Sequence, residues 1–146
     1  MAAKAASKSP TTSPDTTITG LKTTLLKAPW VGEPPAAGII PPGEREYVVV
    51  EIMTKGGITG IGYLQPLRGG SQTLDACIRE VMAPMLIGRD ATEVEALWQA
   101  MWKGTYWMGR MGVAVFALSA IDIALWDIVG KRAGLPLCDV LGGARR

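Results

Sequence analysis

The feature that most constrains this chain is an almost continuous apolar run at residues 111–129, MGVAVFALSAIDIALWDIV, whose only charged residues are Asp122 and Asp127. Its length approaches what a helix needs to cross a bilayer. Each aspartate would cost about 2.5–3.5 kcal/mol near the membrane centre, however, and no second such run accompanies it. A helix that is apolar on nearly every side needs protein on every side. We therefore expect a buried helix and no membrane partner.

The residues before this run predict three strands and two further helices. Strands rich in β-branched and aromatic residues are expected at 18–27, 46–55 and 58–64, with Gly56-Gly57 as the hairpin turn between the last two. Apolar residues at helical spacing predict a first helix that is capped by Ser71 and is kinked or ended by Pro84. A second helix is expected to open at Asp90, with Glu93 completing a capping box.

The third helix is expected at about 111–133, with Gly134-Leu135-Pro136 as its stop signal. This order predicts the α+β class, a three-stranded antiparallel sheet followed by three helices that pack on one of its faces.

Three regions follow from this order. Residues 1–17 lack the apolar core of a secretory signal and are predicted to be a disordered leader. Residues 18–133 form the predicted domain, and residues 134–146 form a linker. Within the domain, residues 28–44 hold five of the ten prolines and form a long loop. Loops of that length in compact domains are usually functional or mobile.

Composition removes several kinds of chemistry. The chain of 146 residues contains no histidine, which excludes any histidine-based triad, base or metal ligand. A net charge of +2 without a basic stripe argues against a nucleic-acid partner. Cys77 and Cys138 form no CxxC pair and are expected to be buried, reduced thiols in a cytoplasmic protein. Asp122 and Asp127 point about 140° apart on a helix, so we expect structural acids bound to backbone or basic groups.

Several motifs together resemble one family. They are Glu95-Ala-Leu-Trp98, Met101-Trp102, Tyr106-Trp107, Gly109-Arg110, the run ALSAIDIALWD from Ala117 to Asp127, Gly130-Lys131, Gly134-Leu-Pro-Leu137 and Leu141-Gly-Gly143. They resemble the N-terminal capping domain of the mandelate racemase/muconate lactonizing enzyme group of the enolase superfamily. The resemblance extends over residues 18–146, and the β-β-β-α-α-α order agrees with it.

The resemblance implies that a (β/α)₇β barrel, absent from this chain, follows the capping domain. In the family the barrel holds Mg²⁺ and the groups that abstract a proton next to a carboxylate. No catalytic residue and no metal ligand is therefore expected here, and this chain alone should be inactive. The full-length enzyme would be a magnesium-dependent racemase, acid-sugar dehydratase or cycloisomerase for a small carboxylic acid, cytoplasmic and homo-oligomeric.

In the family, the loops after the first and third strands close over the barrel mouth and help to select the substrate, as lids do. Here these loops are residues 28–44 and 65–71. The residues we predict to contact substrate supply apolar walls, one amide and one cation able to meet a carboxylate, namely Trp30, Ile39, Ile40, Gln65 and Arg68.

Two alternatives stay open at this point. The chain can be a stand-alone, non-catalytic module for binding or oligomerisation, or the cap half of a split enzyme. The aromatic residues Trp98, Trp102, Tyr106, Trp107 and Trp126 are expected to pack in the core or at a domain interface. Arg110 is expected in a structural salt bridge, or as an anion contact at the start of the third helix.

Overall fold

The computed structural model describes residues 13–29, 44–66 and 69–143, in which three strands precede the helices. The strands are β1 (Ile18–Pro29), β2 (Glu44–Thr54) and β3 (Thr59–Leu64). The helices are α1 (Ser71–Ala76), a π-helical turn (Cys77–Met82), α2 (Ala83–Leu86), α3 (Val94–Gly104), a 3₁₀ turn (Tyr106–Met108), α4 (Val113–Ala133) and α5 (Leu137–Val140). The predicted α+β class and the order of the elements are confirmed.

The sheet is antiparallel throughout, in the order β1-β2-β3. Val48, Val50 and Ile52 alternate along β2 and are completely buried on the face that the helices cover. The turn after β2 closes with Thr54, whose hydroxyl accepts from the Ile58 amide at 3.0 Å and donates to the Ile58 carbonyl at 2.8 Å.

Of the predicted Gly56-Gly57 turn, only Gly57 adopts a positive φ, of 83°. Gly56 is needed for space instead, because a Cβ there would lie 2.6 Å from the backbone nitrogen of Asp15. Residues 13–17, the described end of the predicted leader, thus pack on this turn. Thr16 is buried and its hydroxyl donates to Asp90 at 2.6 Å.

Both predicted N-terminal helix caps are wrong. Gly70, in the left-handed conformation, occupies the cap position of α1, and Ser71 is the first helical residue. α3 begins at Val94. The Asp90 carboxylate does not cap it, because this group accepts hydrogen bonds from Thr92 in the turn before α3 and from Thr16 before β1.

The helix that contains Pro84 does not break at that residue. A π-helical turn precedes it, so the Ala83 amide donates five residues back, to the Ile78 carbonyl. Such single-turn insertions absorb a local misfit in the α-helical ladder. The helix then ends at Leu86, two residues after the proline that has no N–H to donate.

α4 is the central element of the core. Its buried positions include Ala117, Ala120, Ile121 and Ala124, and its predicted stop is confirmed by Gly134 in the left-handed conformation, with φ 64°. Within the described residues, α4 is the one helix long and apolar enough to span a bilayer by length and composition. Its packing against the sheet is that of a core helix.

The backbone of α4 lies directly on β3. A Cβ at Gly62 would be 2.0 Å from the Ala120 carbonyl oxygen, and one at Gly60 would be 2.1 Å from that of Ala124. Real Cβ atoms do not approach backbone so closely, so the contact requires glycine at both strand positions.

The outer edge of β3 is covered by polar groups of the same helix. The Ile61 amide donates to Asp127 at 2.7 Å, and the Lys131 ammonium donates to both the Thr59 carbonyl and Asp127 at 2.7 Å. Asp127 is therefore a structural acid bound to backbone and to a basic group, as predicted. The pair occupies backbone groups that an exposed edge strand would otherwise offer to another chain.

Substituting Gly62 tests the backbone contact. We expect Gly62→Ala to lower the free energy of unfolding by about 3 kcal/mol, because the added methyl group meets immobile helix backbone. Gly20→Ala on β1 is the matched control, since its Cβ would meet only the flexible end of Met53. That variant should change stability by less than about 1 kcal/mol. Urea unfolding of both variants measures the difference, and equal losses would contradict the contact.

Candidate functional site

Two segments of the chain emerge from the same end of the sheet. β1 ends at Pro29, which is paired with Glu44 at the start of β2, so segment 30–43 leaves and returns there. β3 ends at Leu64, which is paired with Val48 near the same end of β2, and the chain re-enters helical structure at Ser71. The described strand ends that flank the two segments therefore lie at one end of the sheet.

Glu46 connects the bases of both segments. Its carboxylate accepts from the Ser71 amide at 3.4 Å and lies 3.7 Å from the ammonium of Lys27, its cross-strand partner. Lys27 also lies 3.8 Å from Glu44. Hydrogen bonds from Ser71, followed by the charge of Lys27, lower the pKa of Glu46 below its usual value of 4.5. Glu46 is thus held as an anion between the end of β1 and the start of α1.

A cavity of about 510 Å³ opens beside this contact. Its walls combine apolar, charged and hydroxyl side chains, and two consecutive glycines with positive φ, Gly69 and Gly70, lead into it. The lining residues are Leu25, Leu26, Lys27, Glu46 and residues 70–73. Such a lining can hydrogen-bond a polar molecule, and the lowered pKa of Glu46 makes that residue a poor proton donor near neutral pH.

One of the predicted contact residues lies in the described part of the chain. Gln65 follows β3 directly and is half-buried at this end of the sheet. Trp30, Ile39, Ile40 and Arg68 lie outside the described residues, so their roles stay predictions. The sequence analysis missed the link between Lys27 and Glu46. Their opposite charges are visible in the sequence. Recognising them as neighbours requires the register of β1 against β2, which segment 30–43 separates in the chain.

The described residues do not fit a magnesium site. Within ranges 13–29, 44–66 and 69–143, no group of three or more acids, histidines or cysteines is placed to hold a metal ion. Asp127 is committed to the edge of β3, and Asp122 lies on a different side of α4.

Asp122 differs from the prediction. None of the hydrogen bonds or ion pairs in the described ranges involves its carboxylate, so the expected backbone or basic partner is wrong for this residue. Partial burial, followed by the nearby charge of Glu95, raises the pKa of Asp122 above its usual 3.8. Asp122 lies on the side of α4 that faces α3. Asp127 accepts from a backbone amide at the edge of β3, and within the described residues the side of α4 facing α3 has no strand edge.

The aromatic residues divide into two groups. Trp98, Trp102 and Trp126 pack partly buried against the core, as predicted. Tyr106 and Trp107 are not core residues, since they are 54% and 93% exposed on the 3₁₀ turn.

Arg110 forms no salt bridge within the described residues, so that prediction is wrong, and its contact with an anion at the start of α4 stays a prediction. Its guanidinium donates to the Trp102 carbonyl at 2.7 Å and lies 4.1 Å from the centroid of the Trp102 ring and 4.6 Å from that of Tyr106. Within the described residues, Arg110 therefore contacts two aromatic rings where a salt bridge with a carboxylate was predicted.

The two cysteines also differ from each other. Cys77 is buried, and burial raises the pKa of its thiol. Cys138, predicted to be buried, is exposed on the four-residue helix α5, because the described chain places nothing over that helix. Leu135 and Leu141 beside it are exposed as well.

Comparison with known proteins gives one consistent result. Residues 21–142 match the family described as the mandelate racemase/muconate lactonizing enzyme, N-terminal domain. A D-mannonate dehydratase of Caulobacter vibrioides is 48% identical over 102 residues, which are 70% of this chain and 25% of that protein. The chain thus spans about a quarter of the length of the curated relatives it matches.

Solved structures agree with the sequence match. A racemase from Streptomyces coelicolor A3(2) with bound magnesium superposes with a TM-score of 0.77 at 32% identity, over 87% of this chain and 36% of that one. An L-talarate dehydratase from Polaromonas sp. JS666, complexed with Mg and L-glucarate, gives 0.74 at 34% identity over 88% of this chain and 33% of its own.

Replacing Glu46 by glutamine tests the link between the two segments. We expect Glu46→Gln to speed amide hydrogen exchange at Ser71 about three- to tenfold, because the amide loses a charged acceptor. Glu44→Gln, at the neighbouring exposed carboxylate, is the control. In the unsubstituted chain the contact is present above pH 4.5 and is lost as pH falls through the lowered pKa of Glu46. Unchanged exchange at Ser71 in Glu46→Gln would contradict the assignment.

Proposed function

Because the chain belongs to the N-terminal domain family of mandelate racemases and muconate lactonizing enzymes, we propose that it caps the catalytic barrel of a longer enzyme of the enolase superfamily. The family assignment and the fold class agree with the sequence analysis. The chain spans only a quarter to a third of the relatives, and the proposal places the chemistry in a barrel outside this domain.

The observation that carries this proposal is the common origin of segments 30–43 and 65–70 at one end of the sheet. A cap that closes over a barrel needs two segments that reach the same opening. Trp30, Ile39 and Ile40 would supply apolar contact to the substrate, and Gln65 and Arg68 would bind its hydroxyl and carboxylate groups. Closing both segments would exclude water from the reaction.

The proposed substrate is a small carboxylic acid, most specifically an acid sugar. Support comes from the relatives, which include a dehydratase named for D-mannonate and one complexed with L-glucarate. The proposed reaction is dehydration or racemisation by removal of a proton next to the carboxylate. Magnesium would belong to the barrel, as the metal in two of the structural relatives suggests.

Location and assembly follow from the same proposal. We propose a cytoplasmic location, because both cysteines are free thiols in the structure and the relatives include sugar-acid dehydratases. The full-length enzyme would assemble as a homo-oligomer.

A domain exchange tests this function. Residues 18–143 replace the equivalent domain of the Caulobacter D-mannonate dehydratase, and kcat/KM for D-mannonate is measured. We expect an active chimera in which Gln65→Ala and Arg68→Ala each lower kcat/KM about ten- to hundredfold, because each removes a hydrogen bond to a polar or charged substrate group. Thermal stability should not change in either variant.

The control is Lys103→Ala, at an exposed position in the last turn of α3, which should retain the activity of the chimera. An active chimera that is insensitive to both lid substitutions would contradict the assignment of the contacts. A folded but inactive chimera would contradict the capping function and favour a stand-alone module.

A further inference from the structure

A second cavity, of about 540 Å³, lies between α3 and α4, outside the candidate site. Its apolar wall consists of Val94, Trp98, Trp126 and Val129. Its polar groups are Thr92, Glu95 and Asp122. We call this surface the α3–α4 groove. It is open to solvent in the described structure and plays no part in the function proposed above.

Neither of the two carboxylates of the groove, Glu95 and Asp122, is paired with a cation within the described residues. Glu95 accepts a hydrogen bond from the neutral amide of Gln99 at 3.1 Å, and Asp122 makes no hydrogen bond or ion pair within the described ranges. The one basic side chain bonded to a lining residue there, Arg132, donates to the Thr92 hydroxyl at 3.2 Å. Partial burial of a carboxylate next to a second carboxylate is unfavourable when no counter-charge is near. A cation at this position would offset both the desolvation of Asp122 and its repulsion by Glu95.

The aromatic wall favours one type of cation. Trp98 stacks on Trp102 with ring centroids 5.1 Å apart and an interplanar angle of 19°. The Arg110 guanidinium already lies on the Trp102 ring of this stack. A planar guanidinium stacks on indole and pairs with a carboxylate at the same time, which a compact ammonium does less well.

We propose that the α3–α4 groove receives an arginine side chain from the catalytic barrel of the full-length enzyme. The negative charge of the groove and its tryptophan wall both match a guanidinium on an aliphatic stem. That the donor is the barrel rests on the proposed function. The relatives support such a donor, since three-quarters of the length of the mannonate dehydratase lies outside the matched segment. The contact would fix the orientation of the cap on the barrel.

A titration of the 146-residue chain tests the groove itself. The probe is N-acetyl-arginine amide, and N-acetyl-citrulline amide is its uncharged counterpart of the same shape. We expect the arginine probe to shift the indole N–H signals of Trp98 and Trp126 saturably in the millimolar range, and the citrulline probe to bind at least about tenfold more weakly. Asp122→Asn should weaken arginine binding about tenfold, whereas Asp139→Asn on the exposed helix α5 should not.

The effect of Asp122→Asn on the melting temperature, measured in the chain alone and in the chimera, tests whether the barrel supplies the arginine. In the chain alone, Asp122→Asn should raise the melting temperature, because it removes an uncompensated, half-buried charge. In the chimera with the barrel, the same substitution should lower it, because it removes an ion pair. The titration does not depend on the barrel, so it distinguishes a wrong groove from a wrong function.

Three results would overturn the proposal. The first is equal binding of the two probes, and the second is a change of melting temperature in the same direction in both proteins. The third is a shift of the Trp98 and Trp126 signals with the concentration of the chain alone, which would identify a second copy as the occupant.

Discussion

Direct contact between the backbones of α4 and β3 is the constraint on which the rest of this structure depends. Gly60 and Gly62 let the helix approach until the carbonyls of Ala120 and Ala124 occupy the space of absent side chains. At that distance, Asp127 and Lys131 reach the outer edge of β3 and occupy its backbone groups. The apolar helix is thereby buried on the sheet side, and its opposite flank beside α3 stays open.

The same contact explains which parts of the molecule are available for function. With one face of the sheet covered by helices, segments 30–43 and 65–70 emerge together at one end, and Lys27 and Glu46 link their bases. Exposed apolar side chains such as Trp107 and Met111, at 93% and 86% exposure, lie on the side of the molecule formed by the turn before α4. Surfaces of this kind mark contacts with further polypeptide. Under the proposed function, the segments at this end of the sheet would contact the substrate, and the exposed apolar surface would contact the barrel.

The fold class, the family and the approximate limits of α4 could be predicted from the sequence, because they depend on local propensity and on motifs that are close together in the chain. The sequence analysis missed features that depend on contacts between distant residues. Gly60 and Gly62 are two ordinary strand glycines until the helix is placed on them. The Glu46–Ser71 link requires the register across segment 30–43, and the π turn before Pro84 reflects packing that no local pattern encodes. Asp122 and Asp127 look alike in sequence, yet only Asp127 faces a strand edge. The roles of Trp30, Ile39, Ile40 and Arg68 stay predictions.

The central claim is that this domain works as the cap of a longer enzyme, and the intact mass of the native protein tests it most directly. An antibody raised against residues 18–143 would recover the protein from its own cells for mass spectrometry. The account predicts a mass more than twice the 15.5 kDa of this chain, with a barrel sequence after residue 146. A native species of 15.5 kDa that binds no separate barrel chain would contradict it.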